Sequence, residues 1–315
     1  MNTHIRVVAP AFSLGVISKE VQKNAVKTIE SMSWELSFGK HTGMENDGSL
    51  ASVKRRVDDI HEALMDSSVT HLMAVIGGWD SHELLPFINW DLWRNNPKPL
   101  IGYSDITSLQ TAAFTMSGVI SIHGPAFSTL GQKNYLEYSL KQLAKCISCD
   151  PHVLEPAKFF IDDEWFLDLD CERDVHKTND MEFLRQSEAA GVAIGGNLST
   201  LITLAGTRYF SELSDKILFL EEIGSVSTPV FRRMFVQLLR QPGAERIRGL
   251  VFGRNQIQSP LKPTTMVHLV QSFVPENVPV IVNASFGHTY PIGSFPIGRE
   301  VSIKNINNIP LIKVT

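Results

Sequence analysis

Cysteine is scarce in this chain of 315 residues: Cys146, Cys149 and Cys171 are the only three. An odd and sparse set does not build a disulfide framework. Cys146 and Cys149 make a C-x-x-C, but they close a helical pattern, LEYSLKQLAKCISCD, where a redox motif would open one after a strand. No second pair follows at a spacing that would complete a zinc site, so they read as ordinary semi-buried cysteines. Long basic runs are missing too, and the formal charge is -4, which argues against nucleic acid or an anionic membrane as the main partner. No apolar run approaches the length of a membrane span. The start, MNTHIRVVAPAF, enters a short strand without a secretory leader pattern, so a soluble cytoplasmic protein is expected. The familiar nucleotide cradles are absent: GGWDS is not G-x-G-x-x-G, no Walker lysine follows it, and APAFSLGV after the first strand lacks the spacing. The chain also lacks internal repeats and low-complexity tracts.

What is present is enough apolar material for a sizeable core, 43% hydrophobic residues against 20% charged. In the first half, strand-like runs at 5–10, 34–39, 71–78, 99–105 and 119–125 alternate with helical patterns, including one over 82–93 (HELLPFINWDLW). Short apolar strands separated by helices predict a mostly parallel sheet covered on both faces. Residues 151–188 are acidic, proline-punctuated and weakly periodic, and read as a connection with short strands of its own. Strand signals return at 191–197, 216–224, 247–254 and 278–287, and EVSIKNINNIPLIKVT reads as a hairpin turning on Asn-Asn. The division is therefore an α/β domain over 1–150, a connection over 151–188 and a second α/β domain over 189–315, with a cleft between the domains.

Chemistry is sought at strand ends. Ser81, in VIGGWDSHELLP, stands between a strand and a helical pattern, where a hydroxyl can project above the sheet and free amides can stabilise an oxyanion. The motif departs from G-x-S-x-G, and a helix-capping serine fits the same place. A nucleophilic serine needs a base. His288 leaves the run VPVIVNASFG into the rigid loop TYPIGSFPIG; His123, in IHGP, could line a pocket. Glu221 and Glu222 end the apolar strand KILFLEEIG, and their alternation sends one of the two toward a cleft.

Several segments in order, VIGGWDSHELLPFINWD, NNPKPLIGYSDIT, HGPA, IGGNLSTL, ILFLEE and GHTYPIGSFPIG, resemble the LD-carboxypeptidase family of serine peptidases, and within it the microcin C immunity peptidases. The resemblance implies an N-terminal flavodoxin-like parallel-sheet domain and a C-terminal swivelling α/β domain. It implies a triad of Ser81, Glu221 and His288, with the amides of Gly78 and His82 as oxyanion hole and with Asp105 and Asn197 as substrate anchors. Each anchor has a plainer reading, Asp105 as a helix cap and Asn197 as a turn residue. A tryptophan of the family's variable loop stacks on the nucleotide base; Trp165, in IDDEWFLD, is the candidate here, and covering the cleft is its other reading. Glu83 stands where many LD-carboxypeptidases carry arginine, which leans toward the immunity group. The resemblance further implies a homodimer without metal or cofactor. The substrate is a peptidyl or aminoacyl adenylate analogue, or alternatively a murein tetrapeptide losing its terminal D-alanine. The rival reading is a binding protein that keeps the fold without the chemistry.

Overall fold

A computed structural model describes residues 3–177 and 181–315. The first sheet is built from β1 (His4–Val8), β2 (Glu35–Phe38), β3 (His71–Ala74), β4 (Leu100–Gly102) and β5 (Ser121–His123), all parallel, in the order β2-β1-β3-β4-β5. This is the flavodoxin-like order, which places a crevice beyond the carboxyl ends of β1 and β3. Strands β1, β3, β4 and β5 are almost wholly buried because helices cover both faces, whereas β2, at the edge, is partly exposed. The helices start where the chain supplies caps. The Ser18 hydroxyl accepts from the Val21 amide ahead of α1 (Lys19–Ser31), and that of Ser49 accepts from Ser52 ahead of α2 (Leu50–Met65).

The helical pattern over 82–93 is not one helix. Ser81–Leu84 is a short 3-10 turn, Pro86 follows, and α3 (Trp90–Asn95) begins only after Asn89 caps it. A proline there removes an amide and clashes with the preceding turn, so the apolar spacing is split between two elements. Next, α4 (Thr107–Ser117) ends on Gly118, whose φ of 73° suits the left-handed closing position.

The second sheet has eight strands. Ala189–Asn197, Lys216–Glu221, Gly249–Gly253 and Val280–Ala284 form its parallel centre. The terminal hairpin, Glu300–Ile306 with Ile309–Val314, extends one side, and both residues of its Asn307–Asn308 turn have positive φ. The connection supplies both outer strands, His152–Val153 and Glu182–Arg185. One strand was not foreseen: Phe295–Ile297 leaves the second domain and pairs antiparallel with β5, becoming the edge of the first sheet. Pro296 suits such an edge, since it has no amide to offer a further strand. The stretch just after His288 is thus stitched into the domain that carries the serines. None of the described helices is long and apolar enough to cross a membrane.

Candidate active site

The β4–α4 junction forms a sharp elbow. Gly102 ends the strand, Tyr103 is extended, and Ser104 takes a φ of 61°, a left-handed conformation that a serine seldom adopts. The buried Gln110 of α4 holds this junction by donating to the carbonyls of Leu100, Gly102 and Ile122 at 3.2, 3.0 and 2.8 Å. The Ser104 hydroxyl lies 3.2 Å from Nε2 of His288. The other ring nitrogen of His288, Nδ1, is 2.6 Å from Oε2 of Glu221. A carboxylate can only accept, so Nδ1 carries the proton and Nε2 is left as the acceptor facing Ser104. The three groups come from three distant chain segments, and the last two sit on the second domain.

Burial pushes the Glu221 carboxyl up, but the charge and hydrogen bond of His288 outweigh it and hold the group below its ordinary range. Burial pulls the His288 imidazole down, and the Glu221 carboxylate more than reverses that, leaving it above its ordinary value. Gly287, at φ 105°, admits this pairing: a Cβ there would stand 3.1 Å from the Glu221 Oε2.

Ser81 is not where the resemblance puts it. The residue is fully buried. Its hydroxyl donates to the Asp105 carbonyl at 2.7 Å and is 2.6 Å from the Ser108 hydroxyl, while its amide donates to the Asp105 carboxylate at 2.9 Å. Its proton goes to the Asp105 carbonyl and its remaining contact is with Ser108, both inside the first domain, and Ser104 holds the place beside His288. The two serines share a strand–turn–helix setting, and the sequence offered no reason to prefer the second. The available signal is G-Y-S, a glycine two residues before a serine at a strand end, in the segment that also holds Asp105. The premise for the His82 amide falls with Ser81, because the residue that follows the hydroxyl beside His288 is Asp105.

Asp105 points its carboxylate at the Ser81 amide, and its burial raises the carboxyl while the two Ser81 hydrogen bonds oppose that. It braces the elbow from beneath, and also borders a polar cavity. Gly77 approaches Ser104 from the β3 side. A Cβ on Gly77 would lie 3.0 Å from the Ser104 Cβ and 3.5 Å from the Asp105 amide, so only a glycine leaves that opening.

Two cavities meet at Ser104, and both are bordered by Gly78, Trp79 and His288. The larger, about 320 Å³, has walls from Phe12, Trp79, Trp165, Phe166 and Tyr290, and His288 is its one ionisable imidazole or charged-type side chain among the described lining residues. The smaller, about 210 Å³, is bordered by His82, Asp105, Asn197, Ser199 and Thr200. Asn197 does both things weighed for it. Its Oδ1 caps the helix Leu198–Ile202 by accepting from the Thr200 amide, and it borders the polar cavity. Its Nδ2 donates to Glu222 at 3.0 Å, and Glu222 also accepts from the Ser199 and Ile223 amides at 2.9 and 3.0 Å. The adjacent glutamates do face different partners: Glu221 serves His288, and Glu222 holds Asn197 and Ser199, which border the polar cavity. Trp165 is 4% exposed and packs edge-on to Phe166 and Tyr290, as a wall of the larger cavity. His123 lies under the site, stacked on Phe295 at 4.6 Å, and burial pushes its imidazole down to about 4. Among the described residues there is no cluster of His, Cys, Asp and Glu that could hold a metal ion.

Comparison with known proteins gives a consistent result over nearly the whole chain. A family model described as the LD-carboxypeptidase N-terminal domain matches residues 5–124, and one described as the LD-carboxypeptidase C-terminal domain matches 190–303. The YocD protein of Bacillus subtilis (strain 168) is 33% identical over 96% of this chain and 94% of its own length. The microcin C7 self-immunity protein MccF of Escherichia coli is 27% identical over 90% of this chain and 86% of its own. A solved structure of MccF in complex with aspartyl sulfamoyl adenosine has a TM-score of 0.88 at 23% identity, covering 100% of this chain and 96% of that one. The crystal structure of an MccF-like protein from Bacillus anthracis str. Ames has a TM-score of 0.94 at 35% identity, covering 99% of this chain and 96% of that one. The chain belongs to the LD-carboxypeptidase family and is a serine carboxypeptidase, a hydrolase.

Proposed function

We propose that Ser104, His288 and Glu221 are the catalytic triad and that the substrate is an aminoacyl or peptidyl adenylate analogue. The observation that carries the triad is the continuous chain of contacts, 3.2 Å from the Ser104 Oγ to the His288 Nε2 and 2.6 Å from the His288 Nδ1 to the Glu221 carboxylate. In this reading the Ser104 Oγ attacks the acyl carbon while Nε2 of His288 takes its proton. Glu221 keeps the ring in the productive tautomer and stabilises the imidazolium. The acyl–nitrogen bond then breaks, the proton passes from His288 to the leaving nitrogen, and water later releases the acyl group from Ser104 by the reverse sequence. The amide of Asp105, next to Ser104 in the chain, and that of Gly78, which borders both cavities along with Ser104, are the proposed donors to the oxyanion, each worth roughly 3–4 kcal/mol of barrier.

The substrate reading rests on the larger cavity. Aromatic walls suit a flat ring such as a nucleobase. A murein tetrapeptide carries several charges, and the described lining there offers no lysine, arginine or carboxylate to meet them. MccF, which binds aspartyl sulfamoyl adenosine, supports the same choice. The polar cavity at Asn197 and Ser199 would take the aminoacyl part.

Incubation with aspartyl sulfamoyl adenosine and, separately, with a murein tetrapeptide, followed by mass spectrometry, tests this. The reading expects sulfamoyl adenosine to be released by the wild type and not by Ser104→Ala. Release of D-alanine alone would overturn the substrate, and full activity of Ser104→Ala would overturn the triad.

A further inference from the structure

Trp79 has an odd setting. Tryptophan is the largest apolar side chain, yet this one is 75% exposed, whereas Trp90, Trp93 and Trp165 are buried. Among the described residues its ring stacks on no other aromatic ring, although it borders both cavities at the point where they meet above Ser104.

The backbone beneath it is fixed. On one side the Gly77 carbonyl accepts from the Phe12 amide. On the other, the Asp80 carboxylate accepts from Asn46 and lies 3.8 Å from the guanidinium of the buried Arg56, and the Ser81 amide is held by Asp105. Arg56 reaches the Pro10 carbonyl and Glu83 as well, so Glu83 helps to anchor this loop. A pinned backbone with an unpacked indole leaves the side-chain torsions as the moving parts. Such a group can turn onto a ligand at small backbone cost and gain by burying its own apolar area.

We infer that Trp79 is a specificity residue that roofs the reacting hydroxyl, folding its indole over any substrate that runs from the aromatic cavity to the polar one. The inference rests on the reading of Ser104 as the reacting group. It adds a substrate contact that lies outside the triad and outside the loop that carries Trp165.

The test uses the full chain carrying Ser104→Ala, so that ligand persists, with aspartyl sulfamoyl adenosine and a murein tetrapeptide as the two probes. Calorimetry measures binding, and iodide quenching of tryptophan fluorescence measures exposure of the indole. With the probe that binds, iodide access should fall sharply, and the fall should vanish in Ser104→Ala/Trp79→Phe. In the otherwise wild-type enzyme, Trp79→Ala should raise KM roughly 10- to 100-fold, the range expected for most of an indole face, with kcat changed little. Trp79→Phe should fall between. Saturable binding with unchanged iodide access and an unchanged KM in Trp79→Ala overturns the inference and leaves the triad standing. A folded Ser104→Ala that binds neither probe removes the Ser104 reading and the roof with it.

Discussion

The Ser81 hydroxyl donates at 2.7 Å to the carbonyl of Asp105, the residue immediately after Ser104. Two serines in similar strand–helix junctions are therefore linked, one as a brace and the other, half-buried, as the hydroxyl that faces His288. Their substitutions should separate cleanly. Ser104→Ala should lower kcat by a factor on the order of 10⁴ to 10⁶, as loss of a triad nucleophile does, with an unfolding midpoint close to wild type. Ser81→Ala deletes two buried hydrogen bonds and leaves the Asp105 carbonyl and the Ser108 hydroxyl each short of a partner, which should lower stability by about 1–3 kcal/mol. Its kcat should fall by no more than roughly tenfold. Steady-state kinetics and thermal unfolding on the same preparations decide the assignment, and an inactive, fully stable Ser81→Ala would reverse it.

Gly77 supplies a second discriminating change. A methyl group there would press on the Ser104 side chain, whose Cβ and Oγ would be 3.0 and 3.1 Å away. The backbone of Gly77 is not left-handed, so alanine meets a problem of space and not of conformation. Gly77→Ala should therefore fold, lose about 1–2 kcal/mol of stability and lose kcat by roughly 10²-fold or more, because an error of a fraction of an ångström at the nucleophile is amplified in the rate. Circular dichroism with turnover measurement would check both halves.

How far the site was legible follows from which signals are local. The parallel first sheet, the central strands of the second and the Asn-Asn hairpin were legible because apolar runs and turn residues report them directly. Glu221 and His288 were legible as strand-end groups interrupting apolar sequence. Ser104 was not separated from Ser81, because what distinguishes them is a positive φ at a non-glycine residue and a contact with a histidine 184 positions away. Neither leaves a mark on spacing. Phe295–Ile297 was missed for a related reason: three residues in a proline- and glycine-rich loop become a strand only because β5 offers an unpaired edge. The split of 82–93 was legible in hindsight from Pro86, whose effect overrides apolar periodicity.

Asn197 joins the two domains and the polar cavity. Its amide donates to the Thr107 hydroxyl of α4 at 3.0 Å, its Oδ1 caps a helix, and its Nδ2 meets the buried Glu222. Asn197→Ala should cost about 1–3 kcal/mol in stability, the sum of a lost cap and a carboxylate short of one donor. Burial, with Glu221 beside it, already holds the Glu222 carboxyl above its ordinary range. Removing Nδ2 should raise it further. Since Asn197 is itself part of the polar cavity's wall, KM should rise several-fold with kcat less affected. Asn197→Asp should be worse than alanine, because it sets a second carboxylate against Glu222.

The Glu221–His288 pair makes opposite demands on activity and on stability. Catalysis needs Nε2 of His288 free to accept a proton, so kcat/KM should rise with pH through the imidazole's raised value, placing the acid limb above the ordinary 6.5. Stability runs the other way. A histidine whose folded value is raised stabilises fully below 6.5, and that contribution fades as pH climbs through the folded value. Glu221, held below its ordinary 4.5, contributes fully above 4.5 and loses this as pH falls through its own folded value. Both contributions are complete together between those two ordinary values. Glu221→Gln removes the charge but keeps the shape. It should move the acid limb to lower pH while cutting kcat on the order of 10⁴-fold through loss of the imposed tautomer. The stability gap between wild type and Glu221→Gln should be widest at about pH 5 to 6 and narrow toward pH 8. Denaturant unfolding at several pH values, set beside the pH–rate profile, measures both. An acid limb that stays in place in Glu221→Gln would show that His288 is not the titrating base.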